Sequence, residues 1–148
     1  MSDPPPVDAR PVVMARAAVA LACVVFAAFT ITAILLPHDS GGANVTASDP
    51  VAVFVTGVLL SCLALVATRP RLHADVDAIR VRSFFTTWRE IPWDVVVQVE
   101  FPSSVRFARL LLPGEETIPL YAIARMDGAR AVAAMRGLRA LHAAARIR

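Results

Sequence analysis

The chain has 148 residues, enough for one ordinary domain or for a membrane anchor plus one small domain. Its hydrophobic content of 57% against 18% charged residues excludes a typical soluble fold. The apolar excess lies almost wholly before Arg69. All fifteen basic residues are arginine, and the net charge of +3 is too dilute, without basic runs or interleaved aromatics, for a nucleic-acid surface.

Residues 17–36 form an uncharged stretch of twenty, AAVALACVVFAAFTITAILL. At about 1.5 Å per residue it spans about 30 Å, the thickness of a bilayer core. Residues 51–68, VAVFVTGVLLSCLALVAT, make a second uncharged stretch of eighteen. Pro37 and Pro50 bracket the intervening loop, where helices are expected to stop. Arg10 and Arg16 precede the first stretch, Arg69, Arg71, Arg80 and Arg82 follow the second, and the loop 37–50 has neither Lys nor Arg. The positive-inside rule therefore expects a hairpin of two transmembrane helices in the plasma (inner) membrane, with both termini cytoplasmic and the loop outside. The expected layout is a cytoplasmic tail over 1–16, helices over 17–36 and 51–68, and a cytoplasmic domain over 69–148.

A rival reading makes the first stretch a signal peptide, although twenty apolar residues is long for one. If it were cleaved, the second stretch would act as a stop-transfer anchor and the domain would still be cytoplasmic. The Asn44-Val45-Thr46 sequon carries little weight. Neither stretch contains Asp, Glu, His, Lys or Arg, the groups that relay protons or carry ions, so the helices read as an anchor. Ala18-xxx-Ala22 and Gly57-xxx-Ser61 are helix-packing candidates, and Cys23 and Cys62 read as further small packing residues at similar depth.

After the second stretch the pattern becomes β-like. Residues 72–75, 79–84 and 87–91 are candidate strands, the second alternating apolar and polar. The run 94–101 is expected to put Val95, Val97, Val99 and Phe101 on one face. A further run covers 105–112, and Pro113-Gly114 reads as a turn into 117–123. From Asp127, an expected N-cap, Ala131, Ala134, Met135, Leu138, Leu141 and Ala145 share one side of a helix, with Arg136, Arg139 and Arg146 on the other. The expected fold class is thus a membrane α-hairpin followed by an α+β domain, a curved antiparallel sheet closed by a C-terminal helix.

The order Arg69-Pro70-Arg71-Leu72, Asp75, Ile79-Arg80-Val81, then Ile91-Pro92-Trp93-Asp94-Val95-Val96 and a closing helix resembles bacterial pleckstrin-homology-like (PH-like) domains. It is similar to the actinobacterial membrane proteins that include the low-molecular-weight protein antigen 6 family. The resemblance covers about residues 69–142 and the two preceding helices, and it implies a recognition fold with no catalytic residue. This chain has Ala78 where such domains often carry a glycine before the second strand.

Phosphoinositide-binding PH domains place Lys and Arg in the first hairpin loop, whereas this loop carries Asp75, Val76 and Asp77, two carboxylates that repel an inositol phosphate. Arg80 and Arg82, on the outer face of the second strand, are the candidate contacts for anionic headgroups; a solvated arginine face is the plainer reading. Arg136 and Arg139 are the candidate contacts for a protein. Trp93 is expected in the core, and Trp88 at the membrane interface. His38, His73 and His142 lack spaced partners for zinc or a triad, Ser103-Ser104 lacks nucleophile-elbow glycines, Glu115-Glu116 solvates a turn, and Gly41-Gly42 is no phosphate loop. The sequence therefore implies no enzyme, no metal, no cofactor, no nucleic acid and no identified small-molecule substrate. It points to a membrane-anchored interaction module that binds a protein partner or a second copy of itself, or scaffolds a membrane complex, at the lipid surface; the alternative is a sensor of anionic lipid.

Overall fold

The computed structural model describes residues 4–36 and 48–147. They divide into two compact units, one of residues 15–68 and one that joins residues 1–14 to residues 69–148.

The first unit is a pair of helices, α1 (Val12–Leu35) and α2 (Ser48–Leu65), the latter extended by a 3-10 turn at Val66–Thr68. Both are long and apolar enough to cross a membrane. Most of their large side chains, including Leu21, Ile34, Leu59 and Leu63, face outward. The contact between the two helices uses the small residues singled out above. Ala18 and Ala22 of α1 and Gly57 and Ser61 of α2 are the buried positions, and a Cβ at Gly57 would collide with the Phe29 side chain. The Ser61 hydroxyl donates to its own helix at the Gly57 carbonyl (2.7 Å) and reaches the Ala22 carbonyl across the interface (3.2 Å). Phe26 and Phe54 meet edge to face at 6.0 Å. Cys23 and Cys62 are free and exposed, so they are not packing residues as expected. Pro50 does not stop a helix either: it sits in the first turn of α2, where its missing N–H removes no helical bond. His38, Gly41-Gly42 and the Asn44 sequon lie outside the described residues.

The second unit is a sandwich of two antiparallel sheets closed by a helix, and the sheets do not join as a barrel. One sheet has the order β1-β2-β3-β4, from β1 (Val7–Ala9), β2 (Arg71–Ala74), β3 (Ala78–Arg82) and β4 (Arg89–Pro92). The other has β5 (Gln98–Glu100), β6 (Phe107–Leu111) and β7 (Thr117–Ala124), followed by α3 (Ala129–Ala145). The core lies between them: Leu72, Ile79, Val81 and Ile91 from the first sheet, Val99, Leu110 and Leu120 from the second, and Ala131, Met135, Leu138 and Leu141 from α3. The helix face read from the sequence is the face that packs.

Three expectations about this unit are corrected. Residues 94–101 are not one strand: a 3-10 turn at Trp93–Val95 shifts the phase, so Val96 and Val99 are buried while Val95 and Val97 are exposed. Asp127 does not cap α3, whose N-cap is Gly128 at φ 53°. Its Oδ1 instead accepts the backbone N–H of Val13 (2.9 Å), capping the first turn of α1 from a distant part of the chain. Most consequentially, the segment expected as a tail supplies strand β1. Val7 pairs with Ala74, Asp8 with His73 and Ala9 with Leu72. Val7 also packs on α3 at Gly137, where a Cβ would strike it, and Pro11 is fully buried.

The β2–β3 hairpin accommodates Ala78 without a glycine's conformational freedom, since its backbone stays out of the positive-φ region. Asp75 makes the turn instead. Its Oδ1 accepts the N–H groups of Asp77 (3.0 Å) and Ala78 (2.9 Å). Those two bonds, Ala78 first, hold the Asp75 carboxyl below its ordinary value of 3.8. A depressed folded pKa means its stabilisation is complete above the unfolded value and is lost as pH falls through the folded one. Asp75→Ala should therefore cost about 1–2 kcal/mol near neutral pH, the usual worth of a cap-like acceptor. Asp75→Asn, which keeps the acceptor oxygen, should remain folded but lose this group's share of the acid sensitivity. Denaturant titrations of the full chain in detergent at pH 7 and pH 3 measure both effects.

Candidate functional site

The outer face of the four-stranded sheet is set by register. His73 on β2 lies opposite Asp8 on β1 and Arg80 on β3, and Arg80 lies opposite Glu90 on β4. A charged row thus crosses all four strands. The carboxylate of Asp8 accepts from His73 Nδ1 (2.7 Å), and Glu90 Oε2 accepts from Arg80 Nε (3.1 Å). Hydrogen bonding to Glu90, then its charge, pushes the Arg80 pKa up. One pair further along, Arg71 faces Arg82.

A shallow cleft of about 760 Å³ opens on this face, lined by Asp8, Arg10, Arg71, His73, Arg80 and the Trp88 ring. Trp88 is 48% exposed. Arg10 and Arg71 make no ion pair among the described residues, while Arg80 is held by Glu90 and His73 by Asp8. The cleft therefore offers two uncommitted guanidinium groups beside an exposed indole, an arrangement suited to an anion attached to an apolar body. Arg71 lies at the end of β2 away from the Asp75–Asp77 turn, whereas His73, also in the cleft, stands 4.0 Å from the Asp75 carboxylate.

The four arginines singled out from sequence have different fates. Arg80 lines the cleft. Arg82 shares its strand face but is half-buried, and its Nε is shielded from solvent with no hydrogen-bond partner among the described residues. Arg136 and Arg139 are exposed on α3, on a separate element. The sequence reading missed the cleft's other members because Arg10 and Arg71 were legible only as flanks of the apolar stretches. Their meeting depends on β1, and alternation over Val7-Asp8-Ala9-Arg10 was the sole signal for it.

The remaining polar candidates have structural roles. His142 Nε2 donates to the Val96 carbonyl (2.8 Å) and its ring stands 5.8 Å from that of Trp93. Trp93 is buried, and its indole N–H donates to the Asp75 carbonyl (2.8 Å). Ser103, Ser104, Glu115 and Glu116 are exposed in loops and turns.

Comparison with known proteins agrees with this architecture. The family model described as Bacterial PH domain matches residues 69–141. The proteins named Rv1417 from Mycobacterium tuberculosis (strain ATCC 25618 / H37Rv) and Mb1452 from Mycobacterium bovis (strain ATCC BAA-935 / AF2122/97), both described as uncharacterized, are each 37% identical over 108 residues. The matched region is 73% of this chain and 70% of each relative. No solved structure matches. With a family match across β2 to β7 and most of α3, and relatives aligned over most of both chains, this chain belongs to the bacterial PH domain family.

Proposed function

We propose that the protein is a membrane-anchored recognition module, holding a PH-like domain at the cytoplasmic face of the plasma membrane, where it binds a partner and catalyses nothing. One observation carries the reading: β1, which precedes α1, pairs with β2, which follows α2, inside a single folded unit. If both helices cross the bilayer, that pairing requires the two flanks to lie on one side. A hairpin satisfies it. Cleavage of the first segment as a signal peptide would cut β1 away from the rest of the chain. The arginines flanking the helices favour the cytoplasmic side. The domain belongs to a family that is generally non-enzymatic, although fold alone does not decide function.

The exposed arginine side of α3 is the proposed protein-binding surface, suited to an acidic partner by charge complementarity. Charge reversal by Arg136→Glu with Arg139→Glu should reduce recovery of a crosslinked partner from intact membranes at least several-fold. Membrane insertion and protease resistance of the domain should stay unchanged. Undiminished recovery of every partner would remove α3 from the interface, and substrate turnover abolished by one polar substitution would replace the reading with an enzyme. The second reading, recognition of anionic lipid, is favoured specifically by the arginine cleft.

A further inference from the structure

We propose that the cleft on the outer face of the β1-β2-β3-β4 sheet binds the phosphate of an anionic phospholipid headgroup, with Arg10 and Arg71 as its charge partners and Trp88 against the glycerol and upper acyl region. The inference rests on the membrane-anchored reading above. Three features combine to support it. The first is chemical: two guanidinium groups without carboxylate partners among the described residues line one concave surface, and paired guanidinium groups suit phosphate oxygens. The nearby carboxylates face other cations, Asp8 and Asp75 the His73 ring and Glu90 the Arg80 guanidinium, so none is paired with Arg10 or Arg71. The second is position in the chain. Arg10 stands two residues before α1, and Arg71 three residues after the 3-10 turn that ends α2. A chain advances at most about 3.6 Å per residue, so both backbones stay close to the helix ends that would meet the headgroup layer. The third is Trp88, a large ring left 48% exposed at the rim. Tryptophan is enriched where an apolar body and a polar edge meet the membrane interface.

The site differs from a basic hairpin loop. It is made by the face of a sheet, and it exists only because the segment ahead of α1 adds a strand. Arg80 is held and its charge offset by Glu90, so Arg10 and Arg71 are the phosphate contacts.

The test uses the full chain in neutral-detergent micelles, titrated separately with dioctanoyl phosphatidylglycerol, dioctanoyl phosphatidylcholine and glycerol 3-phosphate. Indole emission is the readout, with Trp88→Phe removing the signal of the cleft and leaving that of Trp93. Phosphatidylglycerol should bind at least about tenfold more tightly than phosphatidylcholine. Arg10→Gln with Arg71→Gln should lower its affinity about tenfold or more, and Arg10→Gln alone several-fold. Arg106→Gln with Arg130→Gln, at two exposed positions outside the cleft, removes the same charge and should leave the affinity unchanged. Equal binding of the two lipids, or equal loss in both double variants, would overturn the site. Glycerol 3-phosphate binding as tightly as the lipid would overturn the lipid as its ligand. Alkaline extraction of cell membranes carrying the full chain separates the failures: a chain released into solution refutes the anchored reading, and a retained chain without headgroup preference refutes the cleft alone.

Discussion

Trp93→Ala should unfold the PH-like unit or leave it on the edge of unfolding. Trp93 is 4% exposed and sits where the first sheet, the second sheet and α3 converge. Truncating a buried aromatic of this size costs about 3–5 kcal/mol through lost burial and the cavity left behind. The substitution also orphans the Asp75 carbonyl, which accepts the indole N–H at 2.8 Å in the turn that Asp75 itself organises. A further loss falls on His142, which packs its ring on Trp93 while holding the Val96 carbonyl. Whole domains are commonly stable by only about 5–15 kcal/mol, so this single change removes a large share. Trp93→Phe keeps most of the apolar volume and should cost less, chiefly the unpaired carbonyl at about 1–3 kcal/mol. Protease resistance of the full chain in micelles ranks the variants. An alanine variant as resistant as the unmodified chain would show that Trp93 is not part of the core.

The position of Trp93 was legible because local pattern and burial agree there: an Ile-Pro-Trp entry followed by valines has one sensible packing. The same holds for α3, whose apolar side repeats at helical period, and for Ala18, Ala22, Gly57 and Ser61, small residues at four-residue spacing in the uncharged stretches of the two helices. What failed did so for identifiable reasons. The valines at 95 and 97 alternate like a strand, but a 3-10 turn over Trp93–Val95 interrupts the alternation and leaves both exposed. Asp127 has the chemistry of an N-cap and is one, for α1, a pairing across 114 residues that no local pattern carries. The cleft was half visible. Arg80 was identified, but Arg10, His73 and Trp88 come together only through cross-strand register, and β1, at three residues, is too short to stand out from a tail.

Removing residues 1–10 should be the second severe lesion, although it deletes no part of the region matched by the family model. The loss takes Val7 and Ala9 from the core margin, uncovers the edge of β2 and strips Asp8 from His73. Burial of two small apolar side chains and three residues of strand pairing together represent about 2–4 kcal/mol. An exposed β2 edge would also promote association between copies. A chain truncated at residue 10 should therefore be more protease-sensitive and more prone to self-associate than the intact chain. In the intact chain, freed of Cys23 and Cys62 by alanine substitution, the pair Asp8→Cys and His73→Cys should form a disulfide on mild oxidation of membranes, because these residues are direct cross-strand partners. Glu100→Cys with Arg109→Cys, facing one another on β5 and β6, is the positive control. Disulfide formation in the control alone would refute the pairing of β1.

The central claim, a two-helix membrane hairpin that returns the chain to the cytoplasm and lets the segments flanking it fold together, is tested most directly by impermeant thiol labelling in intact cells. Single cysteines replace Asp8, Ser40 or Ser104 in the background lacking Cys23 and Cys62. Position 40 should be labelled in intact cells, and positions 8 and 104 only after permeabilisation. Labelling of position 8 or 104 in intact cells, or protection of position 40, would contradict it.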